Sequence, residues 1–170
     1  MNVSDAIRTK RAVREFTTEP LPPAVVRAIL NAGRRSQSSK NTQPWQFIAV
    51  QERAALAAFS KLGADAGHLA GAALGVAILG PSPDEKFQTL FDIGQTAAYM
   101  QLAAWELGVG SCIASVYEQE KGRELFGFPD EWQLRIGLSF GYPLDPARLT
   151  QPNKPGGRRP LDEIVHWERW

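Results

Sequence analysis

The chain has little of what most catalytic sites are built from. A single cysteine, Cys112, in 170 residues excludes an intrachain disulfide and a cysteine-built metal site, and so low a count fits a reducing, cytoplasmic compartment. Only two histidines are present, His68 and His166, and they lie far apart without spaced partners. His68 sits in a Gly/Ala-rich stretch and His166 in an aromatic tail, so structural or exposed roles are expected for both. No HExxH, GxSxG, P-loop or CxxC spacing occurs. Gly108-Val109-Gly110 imitates half of a dinucleotide fingerprint. Ile113 stands where the third glycine is needed, and the pair follows a helical pattern instead of a strand. Excess charge is missing too: 19 basic and 18 acidic side chains leave +1, which gives no bulk attraction to nucleic acid or an anionic membrane. The uncharged run Leu69–Gly80 is too short for a membrane span of about 20 residues. Asp5, Arg8, Lys10 and Arg11 interrupt any apolar signal core at the start.

What is present is the composition of one globular domain, with 44% hydrophobic and 22% charged residues. Periodicity predicts helices over 2–9, 22–32, 52–62, 84–107 and 118–126. Pro22, Pro23 and Gly33 frame the second, with Val25, Val26, Ile29 and Leu30 as its stripe. In the long helix, Phe87, Leu90, Phe91, Gly94, Ala98, Gln101, Leu102 and Trp105 recur at helical spacing. Strands are expected over 45–50, 73–79, 111–116 and 133–141. The last alternates through Leu134, Ile136, Leu138 and Phe140 and reads as half-buried. Cys112 falls inside the third strand, where an inert buried thiol is expected. Gly63, Gly67, Gly71 and Gly75 recur every four residues, which predicts close helix packing leading into a buried strand. Residues 143–160 hold five of the 12 prolines and no periodicity, so they read as an extended arm; a last turn over 161–165 precedes the tail. Strands and helices in this mixture give an α+β or α/β sheet with helices on it.

Charge segregation is the first chemical signal. Residues 1–40 carry eight cationic side chains, among them Lys10, Arg11 and Arg14, against the three acids Asp5, Glu15 and Glu19. The arm adds Lys154, Arg158 and Arg159 with no acid between them. Clustered forks and ammonium groups suit a phosphate dianion. The second signal is the polar run Ser36–Gln43 ahead of Trp45, whose density of amides and hydroxyls suits the edge of a heteroaromatic ring.

Four segments, in order, resemble the FMN-dependent nitroreductase family: Ile7–Phe16, containing Arg8-Thr9-Lys10-Arg11-Ala12-Val13-Arg14; Ser38-Ser39-Lys40-Asn41-Thr42-Gln43-Pro44-Trp45-Gln46-Phe47; Asp92-Ile93-Gly94 through Leu102–Ser111; and Gly141-Tyr142-Pro143 followed by Arg158–Val165. The resemblance covers nearly the whole chain. It implies an α+β three-layer sandwich, a mixed central sheet flanked by helices, in an interlocked homodimer. Residues 1–142 would form the FMN-binding core, and residues 143–170 an arm of the same domain packed on the partner. It implies that Lys10 and Arg11 hold the FMN phosphate with Arg158 and Arg159. By the same resemblance Arg14 lies near the flavin N1–O2 edge, and backbone groups at Ser115 and Val116 meet the N5–O4 edge. Ser38, Ser39 and Asn41 would reach the flavin from the partner subunit. Lys10 stands where the family has arginine, Ala12 where it has a serine, and Gln37 where it commonly has proline. The implied activity is hydride transfer from NAD(P)H through FMN N5 to a nitroaromatic, quinone or similar small electrophile, with no catalytic side chain and no metal. The alternatives are a non-enzymatic flavin-binding or redox-sensing protein, and a relative reducing enones, halophenols or flavin itself.

Overall fold

In a computed structural model the chain is described over residues 2–82, 87–150 and 157–170. Five α-helices form: α1 Val3–Thr9, α2 Pro23–Arg34, α3 Arg53–Phe59, α4 Gln88–Glu106 and α5 Gln119–Phe126. Positions 84–86, expected to begin the long helix, lie outside the described residues. Four strands, β1 Gln46–Val50, β2 Leu74–Gly80, β3 Gly110–Ser115 and β4 Gln133–Gly141, make one antiparallel sheet in the order β1-β2-β4-β3. Among the described residues its parallel component is confined to the bridge Ala12–Ser111.

The ends of the elements follow from local chemistry. Asn2 caps α1 by accepting from Asp5 N–H at 2.8 Å. The Glu52 carboxylate caps α3 by accepting from Ala54 and Ala55 N–H at 2.9 and 2.7 Å, and these bonds lower its pKa. Gly108 and Gly127 follow α4 and α5 with φ of 74° and 68°, a conformation in which glycine meets no steric penalty.

Helices α2 and α4 cover one face of the sheet, over Leu74, Val76, Ile78, Leu138 and Phe140; α3 and α5 cover the other, over Val50, Ala77, Leu79 and Leu134. This is the three-layer sandwich. Gly33 lets α2 approach α4: a Cβ there would lie 2.2 Å from the Met100 methyl. Strand β4 differs from its half-buried expectation. It lies between β2 and β3 under both helical layers, so every residue from Gly137 to Gly141 is buried. Its alternation records only that Gly137 and Ser139 face a layer where Phe59 and Leu69 already fill the space.

The four-residue glycine repeat does not pack a helix. Gly63 lies in a turn pressed against the Ser115 carbonyl, Gly67–Gly71 form a 3₁₀ segment with open space at both glycines, and Gly75 is tightly packed against Leu56 on β2's α3 side. The long helix also differs from its predicted stripe. Thr89, Ile93, Thr96, Ala97, Met100 and Ala104 are buried, whereas Phe87, Leu90, Phe91, Gly94 and Ala98 are exposed. The helix is apolar on two sides, and periodicity alone could not say which side the same chain covers. None of the described helices is long and apolar enough to cross a membrane.

Candidate functional site

The site begins where the sheet stops. β3 is an edge strand, and its outer side meets the segment after α1 only briefly: Ala12 bridges Ser111, and Val13 N–H donates to Ser111 C=O at 2.9 Å. Strand alternation then turns the main-chain groups of Ile113 and Ser115 to that same outer side. Val116 faces inward instead, its N–H donating to Arg135 C=O at 3.0 Å. The next cover on the outer side comes from the turn after α3, where Tyr117 N–H reaches Leu62 C=O at 3.0 Å.

Between these two covers lies a cavity of about 720 Å³, lined by Arg14, Asp65, His68, Ile113, Ser115 and Tyr117 among others. That size suits a small organic ligand. One wall carries a cation, Arg14, and another is formed by the edge strand β3. A second cavity of about 440 Å³, lined by Ala12, Arg14, Glu15, Asp145 and Arg148, adjoins it through Arg14.

The charges here form one electrostatic group. Burial lowers the Lys10 ammonium pKa, and the Cys112 thiol partly opposes that. Burial raises the Cys112 thiol, and Arg14 and Lys10 pull it back. Cys112 is 2% exposed, so it is the buried thiol expected. Lys10 is fixed in place because its N–H caps α1 at Ala6 C=O, 2.9 Å away, and the Ala12–Ser111 bridge comes two residues later. Arg11, between them, is half-buried, with its Nε donating to Thr9 C=O at 3.3 Å.

Other predicted site residues lie apart from this cavity. Ser38, Ser39 and Asn41 stand on a loop held to the N-terminal part of α4. Ser39 N–H donates to the Asp92 carboxylate at 3.3 Å, and Gln43 N–H to Ser38 Oγ at 2.9 Å. Lys40, Asn41 and Gln43 all have positive φ, between 50° and 54°. Three such non-glycine residues within four positions are strained, as functional loops often are. The segment 9–14 instead meets the C-terminal part of α4, where Trp105 Nε1 donates to Thr9 Oγ1 at 3.0 Å. Asp92 and Trp105 are 13 residues apart, about 20 Å along the helix. Arg158 and Arg159 are exposed on the arm, with the Arg158 guanidinium on Gly157 C=O at 3.1 Å, and neither lines the Arg14 cavity. Lys154 lies outside the described residues.

Sequence reasoning missed six of the eight lining residues, Asp65 and His68 among them. Asp65 carries no signal at all. His68 is buried, as a structural histidine would be, yet it also faces the cavity beside Arg14.

A sequence model of the nitroreductase family matches residues 7–79 and 60–142. The chain belongs to the nitroreductase family. Proteins provisionally named NADH dehydrogenase/NAD(P)H nitroreductase from Methanothermobacter thermautotrophicus and Archaeoglobus fulgidus are each 27% identical to it. The alignments cover 100% and 96% of this chain and 88% and 96% of those proteins. Among solved structures, an FMN-dependent nitroreductase from Clostridium difficile superposes with a TM-score of 0.85 at 22% identity, covering 97% of this chain and 98% of that one. Nitroreductases thus share the fold, and the β3 edge beside Arg14 is where charge and cavity coincide in this chain.

Proposed function

We propose that this nitroreductase binds FMN at the β3 edge and uses NAD(P)H to reduce a nitroaromatic, quinone or similar small electrophile. The observation that carries the reading is the cavity itself, in which Arg14 faces the edge strand β3 at Ile113 and Ser115. The names of the relatives, which pair NAD(P)H with nitroreductase activity and FMN with the fold, support it. The residues present fit the cofactor. A planar ring against β3 would meet the main-chain groups of Ile113 and Ser115, and Lys10 and Arg11, next in the chain before Arg14, would hold a phosphate. When bound, FMN supplies the hydride chemistry at its N5. Arg14 offers a cation to the N1–O2 edge, where charge collects on reduction. Lys10, as a point charge, attracts phosphate without the bidentate fork an arginine would supply. Ala12 has no hydroxyl to give, so its contribution is confined to backbone groups.

The second half of the site comes from another copy of the chain. A twofold axis near Ala98, perpendicular to α4, carries the Asp92 end of one helix to the Trp105 end of its partner. The loop of Ser38, Ser39 and Asn41 then faces the partner's cavity. The exposed face of Gly94 and Ala98 permits that approach, and Phe91, 70% exposed, gains cover. Residues 143–149 stay on their own chain, with Pro143 bridging Phe16 and Leu144 N–H donating to Glu15 C=O at 3.0 Å, and the stretch 157–170 packs on the partner. Trp167 and Trp170 are 81% and 98% exposed, and burying each contributes roughly 2 kcal/mol or more. In that assembly Arg158 and Arg159 return to the phosphate.

Gly94→Glu separates fold from assembly. A Cβ at Gly94 meets nothing within 4 Å, so the chain itself has room. Helix propensity improves by up to about 1 kcal/mol. The variant is expected to stay folded by circular dichroism but to be monomeric by light scattering and poor in FMN. A dimer of wild-type FMN content would count against the shared site.

Arg14→Leu is expected to lower the two-electron potential by about 30 mV, equivalent to about 1.4 kcal/mol, with Arg14→Lys recovering part of it. A redox titration of the FMN-loaded variants reads this, and an unchanged potential with FMN fully bound removes Arg14 from the ring edge. The activity is tested by NAD(P)H oxidation with a nitroaromatic or quinone acceptor, which must depend on FMN and fall in Gly94→Glu.

A further inference from the structure

The wall of the Arg14 cavity holds one ionisable side chain that is buried and half-satisfied. His68 is 9% exposed. Its Nδ1 lies 2.7 Å from Ser139 Oγ on β4, and Ser139 Oγ lies 3.4 Å from Cys112 C=O. Its Nε2 is shielded from solvent and has no hydrogen-bond partner. One ring nitrogen is therefore fixed and the other is open to a proton.

The surroundings oppose that proton. Burial, then the Arg14 cation, hold the His68 pKa below its ordinary value, while the Ile113 backbone and the Asp65 carboxylate act in the other direction. The remaining titratable groups nearby are Cys112 on β3, kept as a thiol by burial, Lys10, which acts on Cys112 from the segment after α1, and Tyr117 beyond the end of β3. His68 is neutral near pH 7, and part of what keeps it neutral is the Arg14 charge.

We propose that His68 takes up one proton at Nε2 when a ring seated beside Arg14 becomes negatively charged, and gives it up when that charge leaves. The inference rests on the reading of this cavity as the FMN site. Hydride transfer breaks a C–H bond of the nicotinamide, forms an N–H bond at N5, and leaves the donor oxidised. The two electrons and one proton so delivered add one net negative charge, at the N1–O2 edge. That charge pairs with Arg14 and offsets the repulsion that disfavours an imidazolium beside it. The balancing proton comes from solvent to Nε2, and the Ile113 backbone and the Asp65 carboxylate favour the charged ring. Transfer of the hydride to an acceptor removes the ring's charge, and His68 returns its proton. His68 is a positioning residue in this scheme, because it acts on the ring through charge. Linkage makes the effect reciprocal: whatever reduction adds to the proton affinity of His68, the proton adds to the electron affinity of the ring.

With only two histidines in the chain, NMR titration reads His68 directly, and His68→Gln identifies its signals by their loss. FMN-loaded protein is titrated oxidised and again after anaerobic reduction. The His68 titration is expected to move up by about one pH unit or more on reduction, tenfold or more in proton affinity. In parallel, the midpoint potential of wild type is expected to fall more steeply with pH than that of His68→Gln. Between the two His68 pKa values the difference is one proton, tenfold in the two-electron equilibrium per pH unit, or about 30 mV. A His68 titration that is the same in both redox states overturns the proposal, and so does an equal pH slope in wild type and His68→Gln. If the protein takes up no FMN, the cofactor reading falls and this one with it. Bound FMN with an unmoved His68 overturns this one alone.

Discussion

Arg11→Ala is expected to weaken FMN binding by roughly 1.5–3 kcal/mol, about ten- to a hundredfold, the scale of a charge-assisted hydrogen bond to phosphate. The site is a stringent place to test such a bond because the backbone around it is fixed on both sides. The α1 cap holds Lys10, and the Val13 N–H bond to Ser111 C=O, 2.9 Å long, holds the chain on the far side of Arg11. Truncating the side chain therefore removes donors without releasing the segment. Riboflavin supplies the control, since it lacks the phosphate. It should bind wild type poorly and be nearly indifferent to the substitution. Ala12→Ser should act in reverse, tightening FMN modestly by adding one hydroxyl next to the same anchored backbone. Isothermal titration with both ligands checks all three statements. Equal binding of FMN and riboflavin to wild type would reduce the basic cluster to a solvated face.

Gly63→Ala is expected to destabilise the fold by roughly 1–3 kcal/mol, the range for overpacking at a site that cannot give. A Cβ there would stand 2.1 Å from the Ser115 carbonyl oxygen. That oxygen is backbone, and the turn is tied to the same strand end by Leu62 C=O, which accepts from Tyr117 N–H at 3.0 Å and Glu118 N–H at 3.3 Å. The turn must move off β3 or the strand end must shift. Either change displaces Ser115 or Asp65, which line the Arg14 cavity, so FMN affinity should fall along with the melting temperature. Gly71→Ala is the matched control: nothing lies within 4 Å of its Cβ, and it should be close to neutral. Thermal melts of both variants, with and without FMN, separate the packing cost from the binding cost. A Gly63→Ala protein as stable as Gly71→Ala would show that the turn is not fixed against β3.

Much of this architecture was legible because local signals and burial agree. Pro23 opens α2, which runs through the expected stop at Gly33 to Arg34, and the apolar run Leu74–Gly80 is buried throughout, as a central strand must be. What failed to read are features that depend on neighbours. β4 looks half-buried because Gly137 and Ser139 are small, but they are small because Phe59 and Leu69 press on that face. The glycine repeat looks like a packing stripe, yet only Gly63 and Gly75 of the four meet close contacts. On α4 the predicted stripe mixes two faces, one against the sheet and one open. In the site, Lys10, Arg14 and Ser115 were reached through the family resemblance. His68 was not, because a histidine among glycines and alanines gives no hint of the Arg14 cation facing it. The strained loop Lys40–Gln43 shows no glycine, so its left-handed residues could not be read from composition.

Binding of FMN at the β3 edge is the claim on which the rest depends, and the absorbance spectrum of the purified chain tests it most directly. The expected result is a pair of flavin bands that bleach when NADH or NADPH is added without oxygen, and that pass on denaturation into a soluble fraction identified as FMN. Protein reconstituted with excess FMN that shows no flavin bands after desalting, or whose bands resist both nicotinamides, would contradict it.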